Sequence, residues 1–178
     1  MSGLPILLGD SIFRRLLERH PSLFDPLSHK FCIGGQRIEK LFEGVRGSRA
    51  ELKGRKVVIL IGTNDILGGT SSKILCKSFR DLFRYLKRLE CHIAVCEVLP
   101  IPRLGKSVSL LVNDVNKYLR SFEPSGVNVI HTFSHFSNAL SIYEWLYEKW
   151  IYKNNRKSVD LVHPNADGLE CLLICIEV

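Results

Sequence analysis

Two short segments at opposite ends of the sequence carry residue types that could transfer an acyl group. Near the start, Gly9-Asp10-Ser11 follows an apolar run, and near the end His163 follows Asp160 by three positions. A serine hydroxyl attacks a carbonyl when an imidazole removes its proton, and a carboxylate on the other ring nitrogen orients that imidazole. These residues therefore suggest the nucleophile, the base and the orienting acid of an ester hydrolase.

Each segment also has a simpler interpretation. Ser11 comes just before a helical apolar pattern over residues 12–17, so its hydroxyl could serve only as the N-cap of a helix. His163 lies in a loop next to Pro164 and could be a surface histidine without a role. Each segment alone leaves both interpretations open, whereas the arrangement of the whole chain favours the chemistry.

Five short apolar runs alternate with helical patterns along the chain. We predict strands at 4–8, 30–33, 56–61, 92–98 and 127–131. We predict helices at 11–19, 37–52, 72–90, 107–122 and from 166 onward. This alternation indicates a parallel sheet with right-handed crossovers and helices on both faces.

The carboxyl ends of parallel strands meet at one edge of the sheet, where such folds bind their ligands. The predicted strand ends place Ser11, Gly35 and Asn64 at this edge, together with residues 160–163. The backbone N–H groups of Ser11 and Gly35 and the amide of Asn64 would form an oxyanion hole, in which one donor is worth about 3 kcal/mol. Three further residues are expected to support loop geometry: Asp10, Thr63 and Asp65.

These motifs resemble, in order and spacing, the blocks of the SGNH, or GDSL-type, hydrolases. The four blocks are Gly9-Asp10-Ser11, Ile33-Gly34-Gly35, Gly62-Thr63-Asn64-Asp65 and Asp160-x-x-His163-Pro164-Asn165, and they span nearly the whole chain. The glycine block and the size are similar to the platelet-activating-factor acetylhydrolase Ib catalytic subunits. The esterase domains of LINE-type retrotransposons and the SGNH-like domain of Oskar are further relatives.

The resemblance implies a flavodoxin-like three-layer α/β/α sandwich around a five-stranded parallel sheet of order 2-1-3-4-5. It also implies hydrolysis of small acetyl or lipid esters without a metal or a cofactor. Two positions depart from the family pattern. Leu161 stands where the family often has glycine, which puts the loop backbone in doubt, and Gln36 stands where Asp or Asn is common, which puts support of the site in doubt.

The segment 134–158 is long and rich in aromatic residues. Tyr143, Tyr147 and Trp150 would share one face if this segment were helical. Two interpretations stay open: an extra helix packed on the body of the domain, or a wall over the site that shapes the acyl pocket.

The chain has 178 residues, of which 46% are hydrophobic, and this is enough for one domain with its own core. We therefore expect a single domain over residues 1–178, which could be excised from a longer protein. The apolar runs fall short of the roughly 20 residues that span a bilayer, and the first residues lack a secretory signal. We expect a cytoplasmic protein without a transmembrane segment, and a homodimer stays open.

The six cysteines are Cys32, Cys76, Cys91, Cys96, Cys171 and Cys175. Since no Cys-x-x-Cys pair occurs, we interpret them as reduced core residues of a cytosolic protein. Cys171 and Cys175 lie one helical turn apart and could share a metal ion, but no matching pair of His or Cys residues stands out. We therefore predict neither a metal nor a cofactor.

The net charge of +7 is concentrated in three predicted helices. Residues 36–56, 73–90 and 106–123 hold 16 basic and 7 acidic residues, and the implied strand order places these helices on one face of the sheet. A dense group on the middle helix consists of Arg80, Arg84, Lys87 and Arg88. A solvated surface explains this pattern, but a module on the same fold that binds RNA or protein through this basic face, with activity secondary or lost, stays the second hypothesis.

Overall fold

A computed structural model describes residues 3–138, 141–153 and 156–177. Its centre is a parallel sheet with the strand order β1-β2-β3-β4. These strands are β1 (Ile6–Gly9), β2 (Lys56–Leu60), β3 (His92–Cys96) and β4 (Asn128–Ile130). An antiparallel hairpin follows, formed by β5 (Trp150–Lys153) and β6 (Arg156–Val159).

Helices connect the strands, and most lie where the sequence pattern predicts them. They are α1 (Ser11–Arg19), α2 (Ser28–Phe31), α3 (Ile38–Gly47), α4 (Arg49–Leu52), α5 (Thr63–Leu67), α6 (Ser72–Arg88), α7 (Gly105–Arg120), α8 (Phe133–Phe136) and α9 (Ala166–Glu177). Every helix in the described part of the chain is too short or too polar to cross a membrane.

Successive residues of each strand point to opposite faces of the sheet, and this divides the core in two. Ile6, Leu8 and the other residues of one face pack against α3, α6 and α7. Leu7 packs with Leu60 on the other face, against α1 and α9. The prediction that the three basic helices cover the same face of the sheet is therefore confirmed.

The strand predicted at 30–33 is not formed. Ser28–Phe31 is a helical turn, and only Cys32 reaches the sheet, through a single parallel bridge to Gly9. The described sheet therefore has four strands, and the five-strand order is not confirmed. The reason is that a run of only four residues fits one turn of helix as well as it fits a strand.

Side chains replace the missing strand along the outer edge of β1. The Leu7 N–H donates to Ser28 Oγ at 2.9 Å, and Cys32 Sγ lies 3.4 Å from the Leu7 oxygen. The Asp25 N–H donates to the Pro5 oxygen at 3.0 Å. The backbone groups of this edge are thus paired without a neighbouring strand.

The aromatic segment does not form the single helix that would align its rings. After α8, the described residues form a 3₁₀ turn at Glu144–Leu146 and then the β5–β6 hairpin. Residues 139–140 and 154–155 of this segment lie outside the described residues. The physical reason lies in the sequence of the hairpin, where two short runs with β-branched and aromatic residues favour strands over helix.

Candidate active site

Ser11 and His163 meet at the carboxyl end of β1. Ser11 is the first residue of α1, and its Oγ lies 2.9 Å from Nε2 of His163, although 152 positions separate the two residues. Ser11 is mostly buried, and both residues line a cavity of about 120 Å³. The distance is that of a hydrogen bond, as proton transfer from the hydroxyl to the imidazole requires.

A tight junction between β1 and α1 holds the Ser11 hydroxyl in this position. A Cβ atom at Gly9 would lie 2.5 Å from the Leu60 oxygen of β2, so only glycine fits there. Asp10 is the N-cap of α1, since its Oδ1 accepts the Ile12 N–H at 2.9 Å. The capping role therefore belongs to Asp10, and the hydroxyl of Ser11 is directed to His163 instead.

Asp10 is a buried carboxyl group next to the hydroxyl. Burial raises its pKa to about 7, the nearby Asp65 acts in the same direction, and the hydrogen bond from the Ile12 N–H opposes both. The group therefore changes its charge near neutral pH. Its contacts are with the N-terminus of α1 and with Asn64, so it helps to fix the shape of the site.

Asp160 holds the imidazole of His163 from the other side. Nδ1 of His163 lies 3.0 Å from both carboxylate oxygens of Asp160. The backbone N–H groups of Val162 and His163 also donate to Asp160 Oδ1, each at 3.1 Å. Since Asp160 is only 3% exposed, the carboxylate is fixed, and it favours the tautomer with the proton on Nδ1.

The loop that carries His163 holds Leu161 in a backbone conformation that glycine adopts most readily. Leu161 has a φ of +45°, in the left-handed region that a side chain other than glycine rarely adopts. Hydrogen bonds hold this loop against residues 145–149: the Leu161 N–H donates to the Glu148 oxygen, and the Glu148 N–H donates to the His163 oxygen, both at 2.8 Å. These hydrogen bonds hold the loop in this geometry with leucine at position 161.

The predicted aromatic wall of Tyr143, Tyr147 and Trp150 does not line the cavity. Tyr147 is buried, and its hydroxyl donates to the Pro100 oxygen at 2.7 Å, which ties the segment 145–149 to the chain that follows β3. Tyr143 packs beside Trp145, and Trp150 stands in β5 under Lys157. Because the segment is a turn and a hairpin, the three residues do not share one helical face, and Tyr147 packs in the core instead.

Asn64 stands in the first turn of α5 and lines the cavity beside Ser11. Its Nδ2 lies 3.1 Å from Asp10 Oδ2 and 3.1 Å from the Gln36 oxygen. An oxyanion would have to compete with one of these acceptors for an amide proton. Gly35, with a φ of +72°, lines the neighbouring groove instead, so the oxyanion roles of both residues stay predictions.

Gln36 and Asp65 brace the loops behind the site. Nε2 of Gln36 donates to the Gly9 and Phe31 oxygens, both at 2.7 Å, so this residue supports the turn that carries the nucleophile. Asp65 Oδ2 accepts the Ile38 N–H at 3.1 Å and so caps α3, and burial raises the pKa of its carboxyl group. Thr63 is buried and lines the cavity beside Asn64.

Five residues of the cavity wall were not identified from the sequence, namely Ile12, Leu67, Arg103, Ile151 and Val162. Arg103 follows β3 and places a cation at the wall, and its N–H donates to the Leu161 oxygen at 3.3 Å. Ile151 of β5 is the residue that the aromatic segment contributes to the cavity. Arg103 could have been identified because it follows a predicted strand. Ile151 could have been identified only if the hairpin that contains it had been predicted.

The basic group on α6 lies on the outer side of that helix. Arg84, Lys87 and Arg88 are exposed, whereas Arg80 is half-buried. Asp81 lies 3.7 Å from Arg80 Nε and 3.9 Å from Arg84, and Lys87 donates to the Ser125 oxygen at 2.6 Å. The Asp81 carboxylate thus offsets part of the charge of the four cations, and the surface stays positive.

Sequence comparison gives one family match. The model of the family described as the OSK domain matches residues 7–162. Among curated proteins, no sequence matches the chain significantly.

Comparison with solved structures supports the same fold. The C-terminal domain of Drosophila Oskar superposes with a TM-score of 0.79 at 18% identity, over 99% of this chain and 88% of that one. A GDSL-like lipase from Bacteroides thetaiotaomicron gives 0.76 at 16% identity, over 99% and 86% of the chains. A carbohydrate esterase of family 3 from Talaromyces cellulolyticus gives 0.65 at 14% identity, over 96% and 92%. At these identities the likeness shows a shared fold.

Proposed function

The chain belongs to the OSK domain family, and from this premise we propose that it is a serine esterase with Ser11 as its nucleophile. The observation that carries the proposal is the 2.9 Å contact between Ser11 Oγ and His163 Nε2, with Asp160 on the opposite ring nitrogen. A module that only binds has no need for a hydroxyl, an imidazole and a buried carboxylate in this order.

The proposed reaction proceeds in two transfers of the acyl group. Ser11 Oγ attacks the ester carbonyl, and its proton passes to His163 Nε2, while Asp160 stabilises the imidazolium through Nδ1. The tetrahedral intermediate expels the alcohol, which takes the proton from Nε2. A water molecule then attacks the acyl-serine with Nε2 as its base, and this step releases the acid and restores the Ser11 hydroxyl.

The negative charge on the tetrahedral intermediate needs hydrogen-bond donors that are already in place. Ser11 stands at the N-terminus of α1, where the first N–H groups have no partner within the helix. We assign the second donor to Asn64, which lines the cavity, and the third to Gly35. For Asn64 this requires that one amide proton turns from Gln36 or Asp10 toward the oxyanion.

The size of the cavity favours a short acyl group. Its volume of about 120 Å³ is below the roughly 300–1,000 Å³ of sites that enclose a drug-sized ligand. Leu67, Ile12 and Val162 supply apolar surface to its wall. We therefore propose acetyl esters as the substrate class, in preference to long-chain lipid esters.

Turnover of p-nitrophenyl esters by the purified chain tests this proposal. We expect hydrolysis of the acetate, a lower rate with the butyrate and the lowest with the octanoate. Ser11→Ala should remove the activity, whereas Ser121→Ala, which changes an exposed serine at the end of α7, should keep it. Equal rates for the wild type and Ser11→Ala would refute the esterase, and an inverted chain-length order would refute the acetyl preference.

RNA binding through the basic helices is a second candidate function. The observation that favours it is that α3, α6 and α7 share one face of the sheet, so their excess of positive charge is not divided between the two faces. Lys and Arg side chains on such a surface neutralise phosphates and release counterions. The esterase and the RNA-binding surface use different residues, so one can be present without the other.

Fluorescence anisotropy with a labelled single-stranded RNA tests the second function. We expect affinity to fall steeply between low and moderate salt, with a slope that Arg84→Gln/Arg88→Gln lowers by about 0.7 for each phosphate that is no longer neutralised. The matched control is Arg14→Gln/Arg19→Gln, which removes two exposed cations from α1 on the other face. Equal loss in both double variants, or no salt-dependent binding, would exclude the basic face as the RNA site.

A further inference from the structure

A second cluster of chemically reactive side chains lies outside the catalytic cavity. His135, Cys171 and Cys175 each offer one donor atom, and these three atoms all lie within 4.8 Å of one another. None of the three residues lines the cavity that holds Ser11 and His163. The cluster therefore needs an explanation independent of the ester chemistry.

Two helices bring the three donors together. Cys171 and Cys175 are one turn apart on α9, so both sulfur atoms project from the same side of the helix. His135 comes from α8, and its backbone oxygen lies 3.9 Å from Cys171 Sγ, so the two helices are in contact at this point. The histidine supplies a third donor, which the sequence did not reveal.

We propose that His135, Cys171 and Cys175 form a binding site for Zn²⁺. Two thiolates and one imidazole are a ligand set that zinc prefers, and three protein ligands leave the fourth tetrahedral position to water. With metal–ligand bonds of about 2.0–2.3 Å, neighbouring ligand atoms in a tetrahedral zinc site are roughly 3.5–3.8 Å apart. Side-chain rotations that move the donor atoms by roughly 1 Å would close the cluster around the ion.

The surroundings of the cluster give an ion access to it. His135 is exposed, Cys171 is half-buried, and both line an open groove of about 360 Å³. Asp167 lines the same groove and adds negative charge on the side from which a cation would enter. The open coordination position therefore faces solvent rather than the packed core.

Binding of Zn²⁺ would release protons from the two thiols to solvent. Burial raises the pKa of both thiols, that of Cys175 to about 11, so both are neutral in the metal-free chain. Each thiol gives one proton to solvent when its sulfur binds the ion, so affinity increases with pH. The acidic groups that face the cluster from the groove are Asp167 and Glu170. The Glu170 carboxylate accepts a hydrogen bond from Arg19 Nε.

The site would join α8 to α9, the helix that follows the loop of His163. α9 begins at Ala166, three positions after His163, and α8 follows β4. A bound ion would therefore fix α9 to α8 and reduce the freedom of the helix that leaves the catalytic loop.

Titration of the reduced chain with Co²⁺, followed by displacement with Zn²⁺, tests the site directly. We expect one Co²⁺ per chain, with the visible bands of tetrahedral cobalt and a thiolate charge-transfer band, and loss of both on addition of Zn²⁺. Cys171→Ser and Cys175→Ser should each weaken binding by more than about 100-fold. Loss of a residue that only hydrogen-bonds to a metal ligand already lowers metal affinity about 10–100-fold. His135→Gln should shift the cobalt spectrum, and Cys91→Ser, half-buried elsewhere, should change nothing.

Alkylation of the unmodified chain keeps the test independent of variants that fail to fold. We expect Zn²⁺ to protect Cys171 and Cys175 from iodoacetamide, as measured by peptide mass spectrometry, while Cys76 and Cys91 react at unchanged rates. Equal protection of all four cysteines would overturn the proposal, because it would indicate tightening of the whole domain. No protection of Cys171 and Cys175 under stoichiometric Zn²⁺, or wild-type Co²⁺ affinity in Cys171→Ser, would also overturn it.

Discussion

Ser11 and His163, the proposed nucleophile and base, rest on different kinds of support. The nucleophile side, residues 6–19, is a buried strand that passes directly into a helix, with Asp10 as a cap one residue before Ser11. The base side, residues 145–149 and 160–165, is a pair of irregular segments held together by backbone hydrogen bonds. One side is positioned by its own local sequence, and the other by contacts between distant parts of the chain.

This difference indicates how each side would respond to a change. The strand–helix junction is part of the sheet, so a change there should act on the stability of the whole domain. The loop of His163 is held by single hydrogen bonds, such as that from the Arg103 N–H to the Leu161 oxygen, and its neighbour Tyr147 bonds to Pro100 after β3, so a change there should move His163 before it unfolds the protein. Four predictions test that distinction, from the largest effect to the smallest.

Removal of both chemical groups tests whether the two sides act as one unit. Ser11→Ala and His163→Ala should each lower kcat for p-nitrophenyl acetate by on the order of 10⁴-fold or more. The double variant should lose no more than either single variant, because each group is useless without the other. If the loss of kcat in the double variant equals the product of the two single losses, Ser11 and His163 work independently and do not act as one unit.

Two glycines provide a matched pair, one on each side. A Cβ at Gly9 would meet the Leu60 oxygen of the sheet, and a Cβ at Gly168 would meet the Leu146 oxygen of the base side. Gly9→Ala should lower the free energy of unfolding by about 3 kcal/mol, because a strand in a sheet cannot move aside. At Gly168 the Cβ would lie even closer to backbone than at Gly9, against the Leu146 oxygen, but Leu146 lies in a 3₁₀ turn outside the sheet. We therefore expect Gly168→Ala to displace this turn at a loss of about 1 kcal/mol and to reduce kcat/KM at least tenfold.

Urea unfolding and ester hydrolysis measure the two effects side by side. Gly47→Ala is the control, since a Cβ there meets nothing within 4 Å and alanine favours the helix. If Gly168→Ala lowers the free energy of unfolding as much as Gly9→Ala does, the base side resists backbone displacement as strongly as the nucleophile side.

The buried carboxyl group of Asp10 should make the nucleophile side sensitive to pH. Its pKa rises from 3.8 in the unfolded chain to about 7 on folding, so the folded state binds a proton that the unfolded state has released. This contribution is fully present below pH 3.8 and is lost as pH rises through 7. Between pH 5 and 8, the wild type should lose about 2–3 kcal/mol of unfolding free energy relative to Asp10→Asn.

Urea unfolding at four pH values between 5 and 8 measures that difference. Asp25→Asn is the matched control, because the Leu27 N–H and Arg55 lower the pKa of Asp25. Its carboxylate is then ionised across this range, and its difference from the wild type should stay flat. A flat difference for Asp10→Asn as well would show that the carboxyl group is not desolvated as the structure indicates.

The left-handed backbone at Leu161 gives the smallest expected effect. Asn adopts this conformation readily, and the β-branched Thr does not. Leu161→Asn should therefore be more stable than Leu161→Thr by about 1 kcal/mol in urea unfolding, and it should keep the higher kcat. Both variants remove the same apolar side chain, so their difference isolates the backbone. Equal stability would mean that the loop relaxes freely and does not fix His163.

Local sequence was enough to predict the nucleophile side. The predicted helix at 11–19 has the bounds of α1, and the predicted strand at 4–8 overlaps β1 over residues 6–8. The reason is that helical periodicity and the Gly-Asp-Ser turn depend on residues that are close together in the sequence. The pairing of Ser11 with Asp160 and His163 was expected from the order of the motifs rather than from strand ends, because residues 160–163 follow β6 of the hairpin and not a strand of the parallel sheet.

The base side could be predicted only in part. The residues of the loop were identified, but its support was not, since the contact of Tyr147 with Pro100 joins segments 47 positions apart. Two four-residue runs separated by two residues are a hairpin signal, which the aromatic content of the segment obscured. The failed strand at 30–33 has a similar cause, because Cys32 pairs with Gly9 through a single residue.

The side chains along the outer edge of β1 also affect how copies of this chain can associate. An open strand at the border of a sheet offers its N–H and C=O groups to other molecules and so favours aggregation. Here Ser28 and Cys32 already occupy both hydrogen-bonding groups of Leu7. A strand from a second molecule would have to displace a hydroxyl and a thiol before it could add to the sheet, so this border is closed to intermolecular β-pairing.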